Sequence, residues 1–203
     1  VAQSINAVGV GFIFAPQHHQ AMRHAIGPRK EMGVRTVFNL LGPLTNPAGA
    51  PNQLLGVYAD DWVEPMAQVL KTLGSERVMV VHSDDGLDEI SIAAPTQVAE
   101  LRDGQLSVYQ ITPEDCGLQR SALDSLRVDS AARSLEMIQA IFDGLPGPAT
   151  DLLALNAGAA IYVAGLEPTL AEGVTRAQAV LASGGVRARL DAFVATSQRL
   201  GGN

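Results

Sequence analysis

Hydrophobic residues follow two different periods along the chain, and the change from one period to the other marks the predicted elements. Short apolar runs at residues 53–58 and 76–82 are typical of buried strands. Between them, residues 61–74 show helical spacing, and Asp61 with Glu64 predicts a capping box at the start of that helix. Strand, helix and strand at these lengths predict a βαβ unit, with two parallel strands and a right-handed crossover.

The second half of the chain begins with a predicted hairpin and continues with helices. Residues 96–101 and 105–111 read as two strands joined through Asp103 and Gly104, at the edge of the sheet. Helical patterns follow at residues 129–142, 150–164, 169–182 and about 186–200. In the second of them, residues 156–160 have small side chains that allow another backbone to approach. These patterns predict an α/β fold with a central, mainly parallel sheet and flanking helices.

The start of the chain also has helical character. Residues 1–8 resemble the tail of an amphipathic helix whose beginning is elsewhere, so we expect an N-terminal segment before them. Residues 17–32 have helical spacing, and Pro28 should kink or split that helix.

Composition narrows the class of protein. A chain of 203 residues, 47% of them hydrophobic, can bury the core of one α/β unit. The net charge of −7 disfavours binding to nucleic acid, and the single cysteine, Cys116, excludes an internal disulfide or a thiolate metal cluster. No apolar run reaches the roughly 18 residues of a membrane span, and no secretory signal is visible, so we expect no membrane association and a cytoplasmic location.

The strongest chemical pattern directly follows the second predicted strand. Residues 83–89 contain four carboxylates, those of Asp84, Asp85, Asp88 and Glu89. Carboxylate oxygens suit Mg²⁺, which commonly completes its coordination with water and substrate phosphates. Ligands of parallel sheets bind beyond the carboxyl ends of the strands, which favours a metal site here. A solvated turn at residues 84–86 is the alternative, and composition alone leaves it open.

Two further segments could contribute to a site. Residues 33–47 combine apolar residues with the turn signals Gly42-Pro43 and Asn46-Pro47, which predicts a segment of irregular backbone; a purely structural loop is the alternative. Upstream of it, Arg29 could hold a carboxylate through both arms of its guanidinium, unless the basic residues around it are only solvated. A zinc site formed by His18, His19 and His24 is disfavoured, because His18 and His19 are adjacent in sequence and their side chains would face different directions.

These segments occur in an order that is similar to the anthranilate phosphoribosyltransferases. Phe14-Ala-Pro16 and His19 come first, then Arg29, then Gly-Val-Arg-Thr-Val-Phe-Asn-Leu-Leu-Gly-Pro-Leu-Thr-Asn-Pro over residues 33–47, and then Asp-Gly-Leu-Asp-Glu over residues 85–89. The resemblance extends over essentially all 203 residues. It implies a Mg²⁺-dependent transferase that joins anthranilate to the ribose of phosphoribosyl pyrophosphate in tryptophan biosynthesis.

The resemblance also implies roles for individual residues. Asp88 and Glu89 would bind the Mg²⁺ ions that accompany the pyrophosphate, and Arg29 would hold the carboxylate of anthranilate. The anthranilate channel would be lined by His19, Ala15, Pro16, Gly42 and Pro43. Because pyrophosphate is a good leaving group, the reaction needs little covalent help, and catalysis would rest on positioning and charge stabilisation. No residue of this chain is predicted to act as a general base.

The fold implied by the resemblance is that of the nucleoside phosphorylases and related phosphoribosyltransferases. Residues 1–203 would form the C-terminal α/β catalytic domain, and helices within about residues 1–34 would lie at the interface with a missing N-terminal helical domain. The family's Gly-rich pyrophosphate loop is not in this sequence, so the chain alone should be inactive. A homodimer formed through the helical domain is a further expectation.

Two departures and two rival functions qualify this interpretation. Gln20 and Met22 stand where family members commonly have Pro and an aromatic residue, which affects the details of the channel. One rival is a non-catalytic relative that binds nucleic acid or a partner protein on the same scaffold. It would be expected to have a basic groove and to lack the paired acids. The other rival is a nucleoside phosphorylase, which would act on a nucleoside and phosphate.

Overall fold

The computed structural model describes residues 1–13 and 38–201 and divides the chain into two units. One unit consists of Val1–Gly49 with Arg187–Asn203, and the other of Ala50–Val186. The helix predicted at residues 17–32 lies outside the described residues. In the described parts of the chain, no helix is long and apolar enough to cross a membrane.

The larger unit, Ala50–Val186, is built on a sheet of four strands in the order β1-β2-β3-β4. The strands are β1 (Asn52–Gly56), β2 (Arg77–Ser83), β3 (Thr96–Arg102) and β4 (Gln105–Ile111). β1 and β2 are parallel, whereas β2, β3 and β4 pair antiparallel in sequence order. The α/β class, the βαβ unit and the hairpin at the edge are therefore confirmed. The described sheet is mixed, because the hairpin adds two antiparallel pairs to the parallel one.

The hairpin turn forms at the two residues that the sequence indicated. Asp103 has a φ of 53° and Gly104 a φ of 75°. Positive φ at both central residues is the geometry that matches the twist of two-residue hairpins, and Asp-Gly is a favoured sequence for it. The turn thereby fixes the register in which Arg102 pairs with Gln105.

The helices of this unit match the predicted segments to within a few residues. They are α3 (Val63–Thr72), α4 (Ala131–Phe142), α5 (Pro148–Val163) and α6 (Leu170–Ala182). The predicted capping box is wrong, because a 3₁₀ turn, Asp60–Trp62, precedes α3. Asp61 therefore lies inside that turn, and the N-cap of α3 is Trp62, whose side chain forms no capping hydrogen bond.

Helices pack on both faces of the sheet, which explains why β2 is apolar almost throughout. Met79 and Val81 belong to a core that also contains Leu155 and Ala159 of α5. Val78 and Val80 alternate with them and so face the other side, where α3 contacts β2 and β3. All four of these β2 side chains are at most 1% exposed, as expected for a central strand covered on both faces.

α5 and α6 approach each other closely at two glycines. A methyl group on Gly158 would lie 2.5 Å from the Cα atom of Val174, and one on Gly173 would overlap the carbonyl oxygen of Gly158. The prediction that the small side chains of residues 156–160 admit another backbone is therefore confirmed. This contact fixes α5, whose neighbouring residues line the site described below.

The smaller unit contains α1 (Ala2–Val8), α2 (Phe38–Leu44) and almost all of α7 (Gly185–Gly201). Arg189 of α7 donates a hydrogen bond to the carbonyl oxygen of Val8 at 2.7 Å, which joins the two ends of the chain. The helices predicted at residues 1–8 and 186–200 are thus confirmed.

One prediction for the segment at residues 33–47 needs correction. Gly42 and Pro43 were predicted to mark a turn in irregular backbone, but both lie inside α2, and Pro43 is its sixth residue. Leu40 is buried, so burial of the apolar side chains stabilises a short helix that the turn residues alone disfavour. The turn at Asn46-Pro47 is confirmed, because the Asn46 carbonyl accepts from the Gly49 amide at 3.1 Å.

Candidate functional site

The site loop, residues 84–95, connects β2 to β3 and begins with a tight turn. The Gly86 amide donates to the carbonyl oxygen of Ser83 at 2.9 Å, and the Ser83 amide donates to the carbonyl oxygen of Leu87 at 3.0 Å. Gly86 has a φ of 91°, which glycine adopts at little cost. The turn predicted at residues 84–86 is therefore present, directly after the strand.

Asp85 holds the site loop in shape. Its Oδ1 atom accepts from the Leu87 amide at 3.3 Å, and its Oδ2 atom accepts from the Ser91 hydroxyl at 2.5 Å. Within the described residues, the Asp84 side chain accepts one long hydrogen bond of 3.4 Å, from the side-chain amide of Gln110. The first two of the four carboxylates are thus engaged by the protein's own groups.

Asp88 and Glu89 differ from these two carboxylates. Both are exposed, and neither forms a hydrogen bond or an ion pair through its side chain with another residue in the described ranges. Although Glu89 is exposed as a residue, its carboxyl group is partly shielded from water, which raises its pKa above the usual range, and the neighbouring charge of Asp88 raises it further. A cation bound between them would relieve this repulsion.

A cavity of about 600 Å³ lies beside these two carboxylates in the larger unit. β1 and β2 contribute Leu54, Gly56 and Val81 to its wall, and the chain from Leu126 to Asn156 contributes most of the remainder. The apolar residues of that stretch are Leu126, Val128, Met137, Ile138, Ile141, Ala149, Leu152 and Leu153. An apolar cleft with a few polar groups at one side is the usual form of a small-molecule site.

Asp88 and Glu89 are suited to hold Mg²⁺, which can take its other ligands from water and substrate, rather than a metal ion whose ligands all come from the protein. Among the described residues, no group of three or more His, Cys, Asp or Glu side chains could hold a metal ion. Mg²⁺ is commonly bound by one or two carboxylates, with substrate phosphates and water as its other ligands. Two carboxylates that are not engaged by other described residues, beside an open cavity, satisfy that requirement.

The structure assigns roles in this region to two residues that the sequence interpretation missed. Asn156 lines the same cavity as Asp88 and Glu89, and its side chain forms hydrogen bonds with the backbone of Ile90. Gly56 is the last residue of β1, and the backbone of Asp88 lies directly against it. A glycine at a strand end is a signal for close backbone approach, so Gly56 could have been found from the sequence. Asn156 carries no such signal.

The six residues predicted to bind substrate fall into two groups. Ala15, Pro16, His19 and Arg29 lie outside the described residues. Gly42 and Pro43 lie in α2 of the smaller unit and are partly exposed. Their predicted roles in binding anthranilate stay predictions.

Comparison with known proteins identifies close relatives over almost the whole chain. Residues 1–187 match the glycosyl transferase family, a/b domain. The chain is 59% identical over 199 residues to the anthranilate phosphoribosyltransferase of Methylococcus capsulatus, a match that covers 98% of this chain and 58% of that protein.

Solved structures agree with the sequence comparison. The crystal structure of anthranilate phosphoribosyltransferase from Thermus thermophilus has a TM-score of 0.89 and 44% identity, covering 96% of this chain and 58% of that one. The Saccharomyces cerevisiae enzyme in complex with PRPP and Mg has a TM-score of 0.78 and 26% identity, covering 89% and 52%. The chain therefore spans somewhat more than half the length of these relatives.

Proposed function

Since the chain belongs to the glycosyl transferase family, whose a/b domain it matches over residues 1–187, we propose that it forms the α/β part of an anthranilate phosphoribosyltransferase. The observation that carries the proposal is the pair Asp88 and Glu89. They follow the central strand β2, lie beside an open cavity and are not engaged by other described residues. The 59% identity to a relative of that name supports the choice of substrates, anthranilate and phosphoribosyl pyrophosphate.

The reaction under this proposal is a displacement at the anomeric carbon of the ribose. The amine of anthranilate forms a C–N bond to that carbon, the C–O bond breaks with its electron pair leaving on pyrophosphate, and the amine loses a proton to water. Asp88 and Glu89 would hold Mg²⁺, which, when bound, stabilises the negative charge on the departing pyrophosphate. By holding the ion, the two carboxylates would help to orient that end of the substrate, and the reaction needs no covalent intermediate.

The second substrate, anthranilate, would be bound by the residues that were predicted for it. We propose that the Arg29 guanidinium binds the carboxylate of anthranilate through two parallel hydrogen bonds. His19, Ala15, Pro16, Gly42 and Pro43 would line the channel through which anthranilate enters. The contacts to the pyrophosphate that this chain does not supply would come from the portion of the relatives that it does not cover.

The same proposal assigns the domain organisation and the cellular setting. Residues 1–203 form the C-terminal α/β domain, helices within about residues 1–34 face a helical domain, and a homodimer forms through that domain. As an enzyme of tryptophan biosynthesis, the protein would act in the cytoplasm. The chain alone should not turn over substrate, because part of the pyrophosphate site is supplied from outside it.

The test requires a completed enzyme, in which the chain is joined to the portion of the Methylococcus capsulatus relative that it does not cover. The loss of anthranilate fluorescence with phosphoribosyl pyrophosphate and Mg²⁺ measures turnover. Consumption of anthranilate by the completed enzyme supports the proposal. A folded completed enzyme that leaves anthranilate untouched would overturn it, and cleavage of a nucleoside by phosphate would identify a nucleoside phosphorylase instead.

Arg29→Ala in the completed enzyme tests the anthranilate assignment separately. The loss of a bidentate charged contact should raise the KM for anthranilate by about tenfold or more, with little change in the Mg²⁺ requirement. Lys30→Ala removes a neighbouring positive charge and is the matched control. An unchanged KM for anthranilate in the Arg29 variant would remove Arg29 from the site.

A further inference from the structure

We propose that Asn156 of α5 is a positioning residue that fixes Asp88 and Glu89 for metal binding, by clamping the backbone of the residue that follows them. The inference rests on the proposed function, because it concerns how the same two carboxylates are held. Asn156 itself is 66 residues away in sequence from the residue that it clamps.

The clamp is made of two hydrogen bonds, one to each backbone polar group of Ile90. The Ile90 amide donates to Oδ1 of Asn156 at 3.0 Å, and Nδ2 of Asn156 donates to the carbonyl oxygen of Ile90 at 2.9 Å. Nδ2 also donates to the carbonyl oxygen of Leu152, one turn earlier in α5, at 3.1 Å. The amide group is therefore held in one orientation by its own helix while it binds the loop.

The side chain of Ile90 strengthens this attachment. It is 1% exposed and belongs to the core formed by the sheet, α5 and α6. Since both its backbone polar groups and its side chain have fixed partners, Ile90 cannot shift without breaking core contacts. Glu89, the residue directly before it, is thus attached to a fixed point.

Gly56 limits the loop from the opposite direction. A methyl group at this position would overlap the carbonyl oxygen of Asp88, so the backbone of Asp88 lies directly against the end of β1. Asp88 therefore touches one element and Ile90 is clamped to another, with Glu89 between them. The backbones of both carboxylate residues are restrained, although their side chains reach the surface.

Such restraint matters for a metal held by few protein ligands. Mg²⁺ demands near-ideal octahedral geometry, and a carboxylate that must first be ordered binds it more weakly. Residues that orient metal ligands through hydrogen bonds commonly contribute about 10- to 100-fold to metal affinity. The clamp by Asn156 is of this kind, except that it acts on the backbone beside the ligands.

The experiment uses the completed enzyme and Mn²⁺ as a probe for Mg²⁺. Mn²⁺ binding with phosphoribosyl pyrophosphate present is measured by electron paramagnetic resonance, together with the Mg²⁺ concentration for half-maximal turnover. Asn156→Ala should weaken Mn²⁺ binding and raise the Mg²⁺ requirement by about tenfold, with the KM for anthranilate unchanged. High Mg²⁺ should restore part of the lost turnover.

Two further variants keep the test decisive. Asn156→Leu keeps about the same size, adds no charge beside Asp88 and Glu89 and loses all three hydrogen bonds, so it should show the same shift if the alanine variant does not fold. Thr150→Ala loses a different hydrogen bond from α5 to backbone, to the carbonyl oxygen of Leu145, and serves as the control. Unchanged Mn²⁺ affinity in folded Asn156 variants, or an equal loss in the control, would overturn the proposal.

The failure of this inference can be told apart from failure of the proposed function. If the unsubstituted completed enzyme does not consume anthranilate, the proposed function fails. If it does so with Mg²⁺ and the Asn156 variants bind Mn²⁺ normally, only the positioning role fails.

Discussion

The site loop has no regular secondary structure but is firmly held, whereas helix α4 is regular but has few buried side chains. The loop, residues 84–95, has no regular structure, yet its backbone is fixed by Asp85, by Asn156 and by the side chains of Ile90 and Ile92, which are at most 1% exposed. α4 is a regular helix of 12 residues with a single buried residue, Ile141. Regular backbone hydrogen bonding therefore does not measure how firmly a segment is held.

α4 also borders two open spaces. One is the cavity beside Asp88 and Glu89, and the other, of about 690 Å³, is lined by the chain from Ser125 to Thr150. Leu135 is 50% exposed and Ile138 39% exposed on this helix. Few of its side chains contribute to the core, so substitutions of its exposed residues should matter less than substitutions in the loop. The following predictions test that contrast, from the largest effect to the smallest.

The double substitution Asp88→Asn with Glu89→Gln should have the largest effect. It removes both negative charges that would hold Mg²⁺ and leaves the size of the side chains unchanged. We expect turnover by the completed enzyme to fall by about 100-fold or more, with a raised Mg²⁺ requirement. Asp84→Asn removes a charge from the same loop and should leave turnover almost unchanged. Normal metal dependence of the double variant would mean that this segment is only a solvated turn.

Gly56→Ala should both destabilise the larger unit and disturb the site loop. The added methyl group overlaps the Asp88 carbonyl oxygen, so β1 or the loop must move. We expect a loss of about 1–3 kcal/mol in the free energy of unfolding, measured by denaturant titration, and weaker Mn²⁺ binding. A Gly74→Ala variant, which has open space around it but a φ of 91°, is the control for strain of the backbone alone. Equal Mn²⁺ binding in the two variants would contradict the contact.

Asp85→Ala should cost about 1–2 kcal/mol of unfolding free energy, because it leaves the Leu87 amide and the Ser91 hydroxyl without their acceptor. Asp84→Ala removes a carboxylate from the adjacent position and, among the described residues, loses the long contact with Gln110. Thermal unfolding of the two variants side by side measures the difference. Equal stability would mean that Asp85 does not fix the loop.

Leu135→Ala on α4 should have the smallest effect. Half of this side chain is already exposed, so the free energy of unfolding should change by no more than about 0.5 kcal/mol. Ile141→Ala on the same helix removes a buried side chain and should cost about 2 kcal/mol or more. If Leu135→Ala were as destabilising as Asp85→Ala, the contrast between the loop and the helix would not hold.

The sequence predicted those parts of the fold that depend on local pattern. The strands, the hairpin turn at Asp103-Gly104 and the helices after residue 129 follow from spacing and turn chemistry, and the structure has them. The capping box at Asp61 and the irregular backbone at Gly42-Pro43 were wrong. At Asp61 a 3₁₀ turn begins one residue earlier than the predicted cap, and at Gly42-Pro43 a short helix with the buried side chain of Leu40 continues through residues that favour a turn.

The site was predictable only in part for a similar reason. Asp88 and Glu89 could be found because acidic residues after a central strand lie at the edge where ligands bind. Asn156 could not, because an asparagine among small residues in a helix is equally consistent with packing. Its partner Ile90 is distant in sequence, and only the folded chain shows that the two meet.

That distance has a consequence for the order of folding. The contacts that α5 makes with earlier parts of the chain, Asn156 with Ile90 and Tyr162 with Glu100, join residues 66 and 62 positions apart. The hairpin of β3 and β4 needs only local pairing and can form soon after its residues leave the ribosome. The loop that carries Asp88 and Glu89 must wait until α5 has been synthesised and has docked. The nascent chain can therefore pair its hairpin before this loop is shaped, and under the proposed function the capacity to bind metal would be acquired late.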